Sequence, residues 1–183
     1  MDVLEAIGSR VSSARLNEPG PTAEQIDTIL KAAVRAPDHG RLSPWRLTVI
    51  SGAARDKLGE AYVDLRRRLN PDKPDFDPTV EKAKAFRAPT IIAVGVSIDK
   101  DHKVPAIEQI LAGGAAAQNM LLAAHALGLG AMWKTGELAY DADTKALFGL
   151  KESDSIVAFL FIGTTDKIRT PPVPNLSGRV KWL

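Results

Sequence analysis

The stretch Thr90–Ser97 reads TIIAVGVS and is apolar at nearly every position. Such a near-continuous apolar run is typical of a central β-strand that is covered on both faces. Ser155–Gly163 (SIVAFLFIG) has the same character, and two shorter strands are predicted at Arg46–Ser51 (RLTVIS) and Ala131–Lys134 (AMWK). Helical patterns separate these strands, so the sequence indicates an α+β or α/β fold in which helices wrap a central sheet.

Local signals mark where the predicted helices begin and end. Thr22–Gln25 forms a capping box, and Pro37 closes the helix that follows it. Pro105 begins a long alanine-rich helix that ends at Gly128 or Gly130. Further helices are predicted over 2–8, 53–69 and 141–148, and one more runs through Lys84. The loop 70–78 and the tail, which holds Pro171, Pro172 and Pro174, are predicted to be irregular.

The long helix carries small side chains, since Ala112–Ala117 reads AGGAAA. Small residues let neighbouring helices approach closely, so the helix packs either in a core built by two subunits or at the centre of one monomer. The residues alone leave both alternatives open. The apolar stretch Leu111–Leu129 approaches membrane-spanning length, but Gln118, Asn119 and His125 interrupt it, which favours a buried helix of a soluble protein.

Composition limits the classes of protein that are possible. The 183 residues suit a single domain over 1–183, and 45% hydrophobic with 25% charged residues is typical of a globular fold. The net charge of +2 is small for a nucleic-acid-binding protein, and the basic run Arg66–Arg68 follows Glu60 and Asp64 at the spacing of a solvated helix face. The absence of cysteine excludes disulfides and thiol catalysis and, without a signal-peptide pattern, predicts a cytoplasmic protein.

Missing motifs exclude several kinds of active site. No GxGxxG follows a strand and no GxxxxGK[ST] occurs, so neither a Rossmann dinucleotide site nor a P-loop is supported. His39, His102 and His125 do not have metal-ligand spacing. No residue resembles an activated nucleophile or a paired carboxylate, so a cofactor is expected to carry the chemistry.

Three polar segments are candidates for binding such a cofactor. Ser9–Arg15 offers arginines, hydroxyls and free N–H groups that suit a phosphate. Arg35–Trp45 is a turn rich in Pro, Gly, His and Arg between a helix and a strand, where functional residues are frequent. Met132–Gly136 ends a strand and offers the flat ring of Trp133 beside the charge of Lys134. Together they suit a planar aromatic ligand that carries a phosphate.

These segments resemble motifs of the nitroreductase family, and in particular of its compact NAD(P)H nitroreductase branch. Arg10–Ser12 matches the R-[RH]-S that follows the family's first helix. Arg35–His39 reads RAPDH as in the compact branch, and Ser43–Trp45 stands at the family's Q-P-W. Gly130–Gly136 matches G-x-x-W-[RK]-[ST]-G, and Gly163–Thr164 ends the last core strand. Four motifs in this order, spread over most of the chain, are specific.

The resemblance implies an α+β fold with a central mixed sheet, an intertwined homodimer and FMN between its subunits. It implies that Arg10 and Ser12, with Lys134, hold the flavin phosphate, that Arg35 and His39 reach the flavin from the partner subunit, and that Trp133–Thr135 line it. No catalytic side chain is implied, because the flavin carries the chemistry. The cofactor-binding residues that follow are Arg10, Val11, Ser12, Arg35, His39, Trp133, Lys134 and Thr135.

Three positions depart from the family pattern. Val11 stands where the family often has a second Arg or His, although a backbone contact there would survive the change. Ala14 stands where a basic residue is usual, with Arg15 one position later, and Lys134 stands where the close branch often has Arg. The expected reaction is a ping-pong transfer of hydride from NAD(P)H, through FMN, to a nitroaromatic, quinone or similar small acceptor, without nucleic acid or membrane as partner. Two alternatives stay open: the same flavoprotein fold used for dehydrogenation or flavin handling, and a non-enzymatic binding protein built around Arg66–Arg68.

Overall fold

A computed structural model describes residues 1–72, 75–166 and 170–183, and its four strands within these ranges form one sheet in the order β1–β2–β4–β3. The strands are β1 (Trp45–Ser51), β2 (Thr90–Val96), β3 (Gly130–Lys134) and β4 (Ser155–Gly163). The helices are α1 (Val3–Ser9), α2 (Ala23–Ala33), α3 (Ala54–Leu69), α4 (Pro78–Lys82), α5 (Ala106–Ala126) and α6 (Ala142–Leu147). The α+β class is therefore confirmed.

The sheet differs from the expected mixed sheet, because all three strand pairings are antiparallel. The two apolar runs of the sequence form the central strands β2 and β4, whose side chains are buried on both faces of the sheet. A continuous apolar run reports that helices cover both faces of a strand, and it carries no information about the direction of the neighbouring strands. This is why the sequence predicted the burial of these strands and not their orientation.

Helices cover the two faces of the sheet in separate layers. On one face, here called the α5 face, α5 packs against β2 and β4, and α2 lies along α5. On the other, the α3 face, α3 packs over Phe159 and Phe161 of β4. Alternation of side chains along β2 supplies both cores, since Ile92 and Val94 belong to the first and Ile91 to the second.

Most helix limits agree with the sequence signals to within two residues. The capping box is present, because the Thr22 side chain accepts from the Gln25 N–H and the Gln25 side chain accepts from the Thr22 N–H. The predicted loop 70–78 includes residues 73 and 74, which lie outside the described residues, and it ends where Asp77 caps α4. The tail over 170–183 contains neither helix nor strand.

The long helix α5 has two different faces. Ala112, Ala116, Met120 and Ala124 are buried within the chain's own core. The opposite side carries a stripe at helical spacing, in which Ile107, Leu111 and Gln118 are exposed and Gly114, Ala115 and Leu122 are half-buried. Neither α5 nor any other helix in the described ranges is long and apolar enough to cross a membrane.

Candidate functional site

The segment after α1 is fixed at the C-terminal end of α5. The Ser9 hydroxyl lies 2.8 Å from Nε2 of His125, which is on the last turn of α5. Arg10 leaves the helix with extended backbone angles, and the Ser13 N–H then donates to the carbonyl of Ala131 on β3 at 3.0 Å. The chain between these two anchors therefore runs to the edge of the sheet where β3 begins.

This segment presents a set of hydrogen-bond donors. Within the described residues, the N–H groups of Val11 and Ser12 make no hydrogen bond, and the Arg10 guanidinium makes no ion pair. Arg10 is half-buried and Ser12 is exposed. A guanidinium, a hydroxyl and two consecutive free N–H groups form an arrangement that an anion such as a phosphate can accept from.

The end of β3 supplies a flat apolar surface near the same sheet edge. Trp133 is 37% exposed, and its Nε1 donates to the carbonyl of Val157 at 3.0 Å, which fixes the plane of the ring. Thr135 follows, half-buried, and the chain turns at Gly136 with φ 71° and ψ −173°, a region that only glycine adopts readily. The ring face of Trp133 is thus available to a ligand, and Thr135 lines a cavity together with Lys134.

The Lys134 side chain points to the other side of the sheet. Its Nζ lies 5.2 Å from the centroid of the Phe161 ring, on the α3 face. Burial, and then the charge of Arg87, lower the pKa of Lys134 below its usual range. The structure therefore places the Lys134 ammonium away from α5 and from the Ser9–His125 contact, although the Lys134 backbone remains in the stretch beside Trp133.

The turn that carries Arg35 and His39 lies near the opposite end of α5. The helix α2 runs antiparallel to α5, since the Gln25 side chain reaches the Leu127 carbonyl and the Asn119 side chain donates to the Ala32 carbonyl at 3.1 Å. Arg35 is exposed. Further along the turn, Nδ1 of His39 contacts the carboxylate of Glu108, the third residue of α5.

The backbone of this turn is unusual. Arg41 and Ser43 have positive φ angles of 55° and 48°, which non-glycine residues rarely adopt. The Asp38 carboxylate holds the turn in place by accepting from the Ser43 N–H at 2.7 Å. Residues kept in such conformations cluster at ligand sites, because the surrounding structure must compensate for their strain.

The two groups of sequence-predicted residues do not meet within one chain. Ser9 is anchored at His125 and His39 at Glu108, seventeen residues apart on α5. At 1.5 Å rise per residue this separation is about 25 Å, most of the diameter of a small domain. One chain therefore presents two partial sites, with Arg10, Val11 and Ser12 at one end of α5 and Arg35 and His39 at the other. Trp133–Thr135 lie at the end of β3, and Trp133 is hydrogen-bonded to Val157, which stands beside Gly113 of α5 between the two ends.

The structure also brings together a group that the sequence did not indicate. A cavity of about 460 Å³ on the α3 face is lined by cations, among them Arg66 and Lys134. Arg66 belongs to the basic run Arg66–Arg68, whose spacing predicts a solvated helix face. That prediction is right only for the two neighbours of Arg66. Arg67 pairs with Asp64, and Arg68 pairs with Asp141 and Asp143. One sequence signal could have indicated that Arg66 faces inward: it stands one helical turn after Tyr62, which is half-buried.

Comparison with known proteins gives a consistent result. The model of the nitroreductase family matches residues 9–164. A curated relative from Escherichia coli (strain K12), named "Putative NAD(P)H nitroreductase YdjA", is 40% identical over 166 residues, which cover 90% of this chain and 88% of the relative. A "Putative NAD(P)H nitroreductase" from Haemophilus influenzae is 36% identical over 170 residues, covering 90% and 89% of the two chains.

Solved structures share the fold over nearly the whole chain. A nitroreductase-like family protein from Bacillus cereus superposes with a TM-score of 0.84 at 23% identity, covering 100% of this chain and 96% of the other. A protein from Desulfovibrio desulfuricans described as a "putative nitroreductase in complex with fmn" has a TM-score of 0.76 at 26% identity, covering 98% of this chain and 95% of the other. Two independent kinds of comparison, by sequence and by structure, thus agree.

Proposed function

This chain belongs to the nitroreductase family, and from that premise we propose that it is an FMN-dependent NAD(P)H oxidoreductase that acts as a homodimer. The observation that carries the proposal is the position of two partial sites about 25 Å apart at the ends of α5. Each contains residues of a family motif, so a complete site needs one partial site from each of two chains. We further propose one domain over 1–183 and a cytoplasmic location, which suits an enzyme supplied with electrons by NAD(P)H.

The residues present fit FMN chemically. The Arg10 guanidinium, the Ser12 hydroxyl and the N–H groups of Val11 and Ser12 would hold the phosphate. The exposed face of Trp133 and the Thr135 hydroxyl would lie along the flavin. Lys134 would contribute its main chain, because its ammonium faces the α3 side.

The second half of the site would come from the partner subunit. Arg35 is exposed, and the contact between His39 and Glu108 keeps the imidazole at the surface of α5. These two side chains would orient the flavin ring and limit what can stack on it. The role that we propose for them is positioning, because the flavin would carry the redox chemistry.

Exposed apolar side chains support the dimer. Ile107 and Leu111 on the α5 stripe are 60% and 63% exposed, and Val3, Leu4 and Ile7 of α1 are exposed to a similar degree. A patch of this kind is a cost to a monomer in water and marks an interaction surface. Gly114 lies in the middle of the stripe with open space around it, so a second helix could approach closely.

When bound, FMN supplies the acceptance and release of electrons, and we propose that NAD(P)H and the acceptor use one pocket in turn, which is a ping-pong order. The acceptor class that we propose is a flat, electron-poor molecule such as a nitroaromatic or a quinone. The names of the curated relatives support this reading. A second use of the same fold, dehydrogenation or flavin handling, would share the cofactor and differ in the acceptor.

The experiment that tests the proposal starts with the visible spectrum of the purified protein before and after incubation with FMN. We expect flavin absorbance, oxidation of NADPH or NADH that depends on a quinone or a nitroaromatic, and parallel double-reciprocal plots. Uptake of FMN without turnover of any such acceptor would favour the second use of the fold. A protein that stays colourless and takes up no FMN would contradict the proposal and would favour the binding protein built around Arg66–Arg68.

A further inference from the structure

Four cations converge on the cavity of the α3 face. Arg66 comes from α3, Lys84 and Arg87 from the segment between α4 and β2, and Lys134 from the end of β3. The cavity has a volume of about 460 Å³, within the range of roughly 300–1,000 Å³ typical of small-molecule sites. The four side chains belong to three separate parts of the chain, so tertiary packing alone brings them together.

Carboxylates compensate only part of this charge. Glu81 and Glu137 also line the cavity, and Glu81 forms an ion pair with Lys84. Among the described residues, the other three cations form no ion pair. The cavity therefore has a formal excess of two positive charges, and the excess lies on side chains that are free to bind an anion.

The buried atom Nε of Arg66 gives an independent indication. It is shielded from solvent and has no hydrogen-bond partner among the described residues. Folded proteins satisfy nearly all of their buried N–H groups, so an unsatisfied one calls for a functional explanation. Arg66 also lines the cavity, and an acceptor bound there is the partner that we infer for this N–H group.

The local environment also disfavours the uncompensated charge. Burial and the neighbouring Arg87 lower the pKa of Lys134, which means that its charged form is held there at a cost in free energy. Burial raises the pKa of Tyr62, so its hydroxyl stays protonated and can donate a hydrogen bond at neutral pH. Donors thus outnumber acceptors around the cavity.

We propose that this cavity binds the phosphate of a small phosphorylated molecule, held by Arg66, Arg87 and Lys134. A phosphate dianion matches the excess charge of two, and the planar guanidinium forks of two arginines suit its oxygens. The volume leaves room for more than the phosphate itself, so a diphosphate or a nucleotide fits the site better than a bare ion. The cavity shares Lys134 and Thr135 with the stretch that we assign to the flavin, whereas Arg66 and Arg87 belong to the cavity alone, so substitution of these two arginines tests the proposal separately from the flavin site.

Calorimetric titration of the FMN-saturated protein tests the proposal, because any site for the flavin phosphate is then filled. If the protein takes up no FMN, it is titrated as purified. The probes are inorganic pyrophosphate and adenosine 2′,5′-bisphosphate, with adenosine as the uncharged control, at constant ionic strength. We expect one saturable site for at least one phosphorylated probe and none for adenosine. Binding of pyrophosphate alone would indicate a free diphosphate as ligand, and tighter binding of the bisphosphate would indicate a nucleotide.

Three variants locate the site. R66Q and R87Q should each weaken binding by about tenfold or more, because each removes a charge-assisted contact. R67Q is the matched control: Arg67 is the next residue on α3, carries the same charge and pairs with Asp64 outside the cavity, so its affinity should change less than twofold. Arg87 is exposed, so R87Q keeps the test valid if R66Q fails to fold.

Three results would overturn the proposal. One is the absence of saturable binding by both phosphorylated probes. Another is an equal loss of affinity in R67Q and R66Q, which would mean that the probe responds to the overall positive charge of the protein and not to a defined site. The third is a loss of FMN affinity in R66Q together with no pyrophosphate binding to FMN-saturated protein, which would make the cavity part of the flavin site.

Discussion

Gly113 of α5 lies so close to Val96 of β2 that a β carbon at position 113 would stand 2.3 Å from Cγ2 of Val96. Val157 of β4 would be 3.2 Å from the same atom. The long helix therefore rests on the two central strands at a point where no side chain fits. This close approach sets the distance between α5 and the sheet, and with it the position of both partial sites at the ends of the helix.

Replacement of Gly113 by alanine should destabilise the protein. Val96 is fully buried in a central strand and its branched side chain is stiff, so relief of the overlap requires movement of the helix. Overpacking of this kind costs about 1–3 kcal/mol, or roughly 2–4 °C in Tm per kcal/mol for a chain of this size. Gly8→Ala on α1 is the control, because its β carbon meets open space and alanine favours a helix over glycine by about 1 kcal/mol. Equal Tm values for the two variants would contradict this account of the packing.

Replacement of Leu111 by glutamate should dissociate the proposed dimer. The side chain is 63% exposed on the α5 stripe, and a charge placed inside an apolar interface must be desolvated. Loss of a buried leucine, worth about 1.5–3 kcal/mol, should raise the dimer dissociation constant at least about tenfold. Sedimentation velocity measures the change, and bound FMN should be lost with the dimer. Val80→Glu on α4 should remain dimeric, because Val80 is exposed to the same degree as Leu111 and α4 packs on α3, on the other face of the sheet. A monomer that retains FMN tightly would disprove the interface.

Replacement of Arg10 by alanine should weaken FMN binding. A charge-assisted hydrogen bond to a phosphate contributes about 1.5–3 kcal/mol, which corresponds to about tenfold to more than a hundredfold in affinity. Fluorescence titration of apo-protein with FMN gives the dissociation constant directly. Arg67→Ala serves as the matched loss of charge, because Arg67 is exposed and pairs only with Asp64. An unchanged dissociation constant in a folded Arg10→Ala protein would show that the phosphate binds elsewhere.

Replacement of His39 by alanine should slow flavin reduction without abolishing it. His39 is proposed to position the ring, so its loss should be far smaller than the roughly 10⁴-fold effect of removing a member of a catalytic triad. Stopped-flow reduction by NADPH and by NADH, at matched flavin occupancy, measures the step. Glu108→Gln, which weakens the contact that holds the imidazole, should give a smaller effect in the same direction. Complete loss of reduction would assign His39 to the chemistry, and unchanged rates would place it away from the flavin.

Replacement of Lys134 by methionine should raise the stability at neutral pH. The pKa of Lys134 is lower in the folded state than in the unfolded state. At pH values between these two pKa values, the amine is therefore protonated more fully in the unfolded chain. The wild-type protein therefore carries the full penalty at neutral pH, and its stability recovers as pH rises from the folded-state pKa towards the usual lysine value of 10.5. The advantage of Lys134→Met in Tm should be largest at pH 7–8 and should shrink at higher pH. Lys134→Arg keeps the charge and should show no such gain. A constant difference across pH would exclude this origin.

Much of the local structure follows from the sequence because its signals extend over only a few residues. The capping box at Thr22, the apolar run that became β2 and the proline before α5 each act within about one turn or one strand. The motifs that identify the family are equally short, so the RAPDH turn and the Trp133–Thr135 stretch could be recognised without coordinates. Their use for FMN stays a prediction.

Tertiary structure decided how those motifs are arranged. Ser9 meets His125 across 116 positions of sequence, and His39 meets Glu108 across 69, so no local pattern could show that the two groups occupy opposite ends of one helix. The strand register turned the Lys134 ammonium towards Phe161, and the packing of α3 turned Arg66 inward while Arg67 stayed in solvent. Periodicity determines which residues of an element share a face, but only packing determines what that face meets.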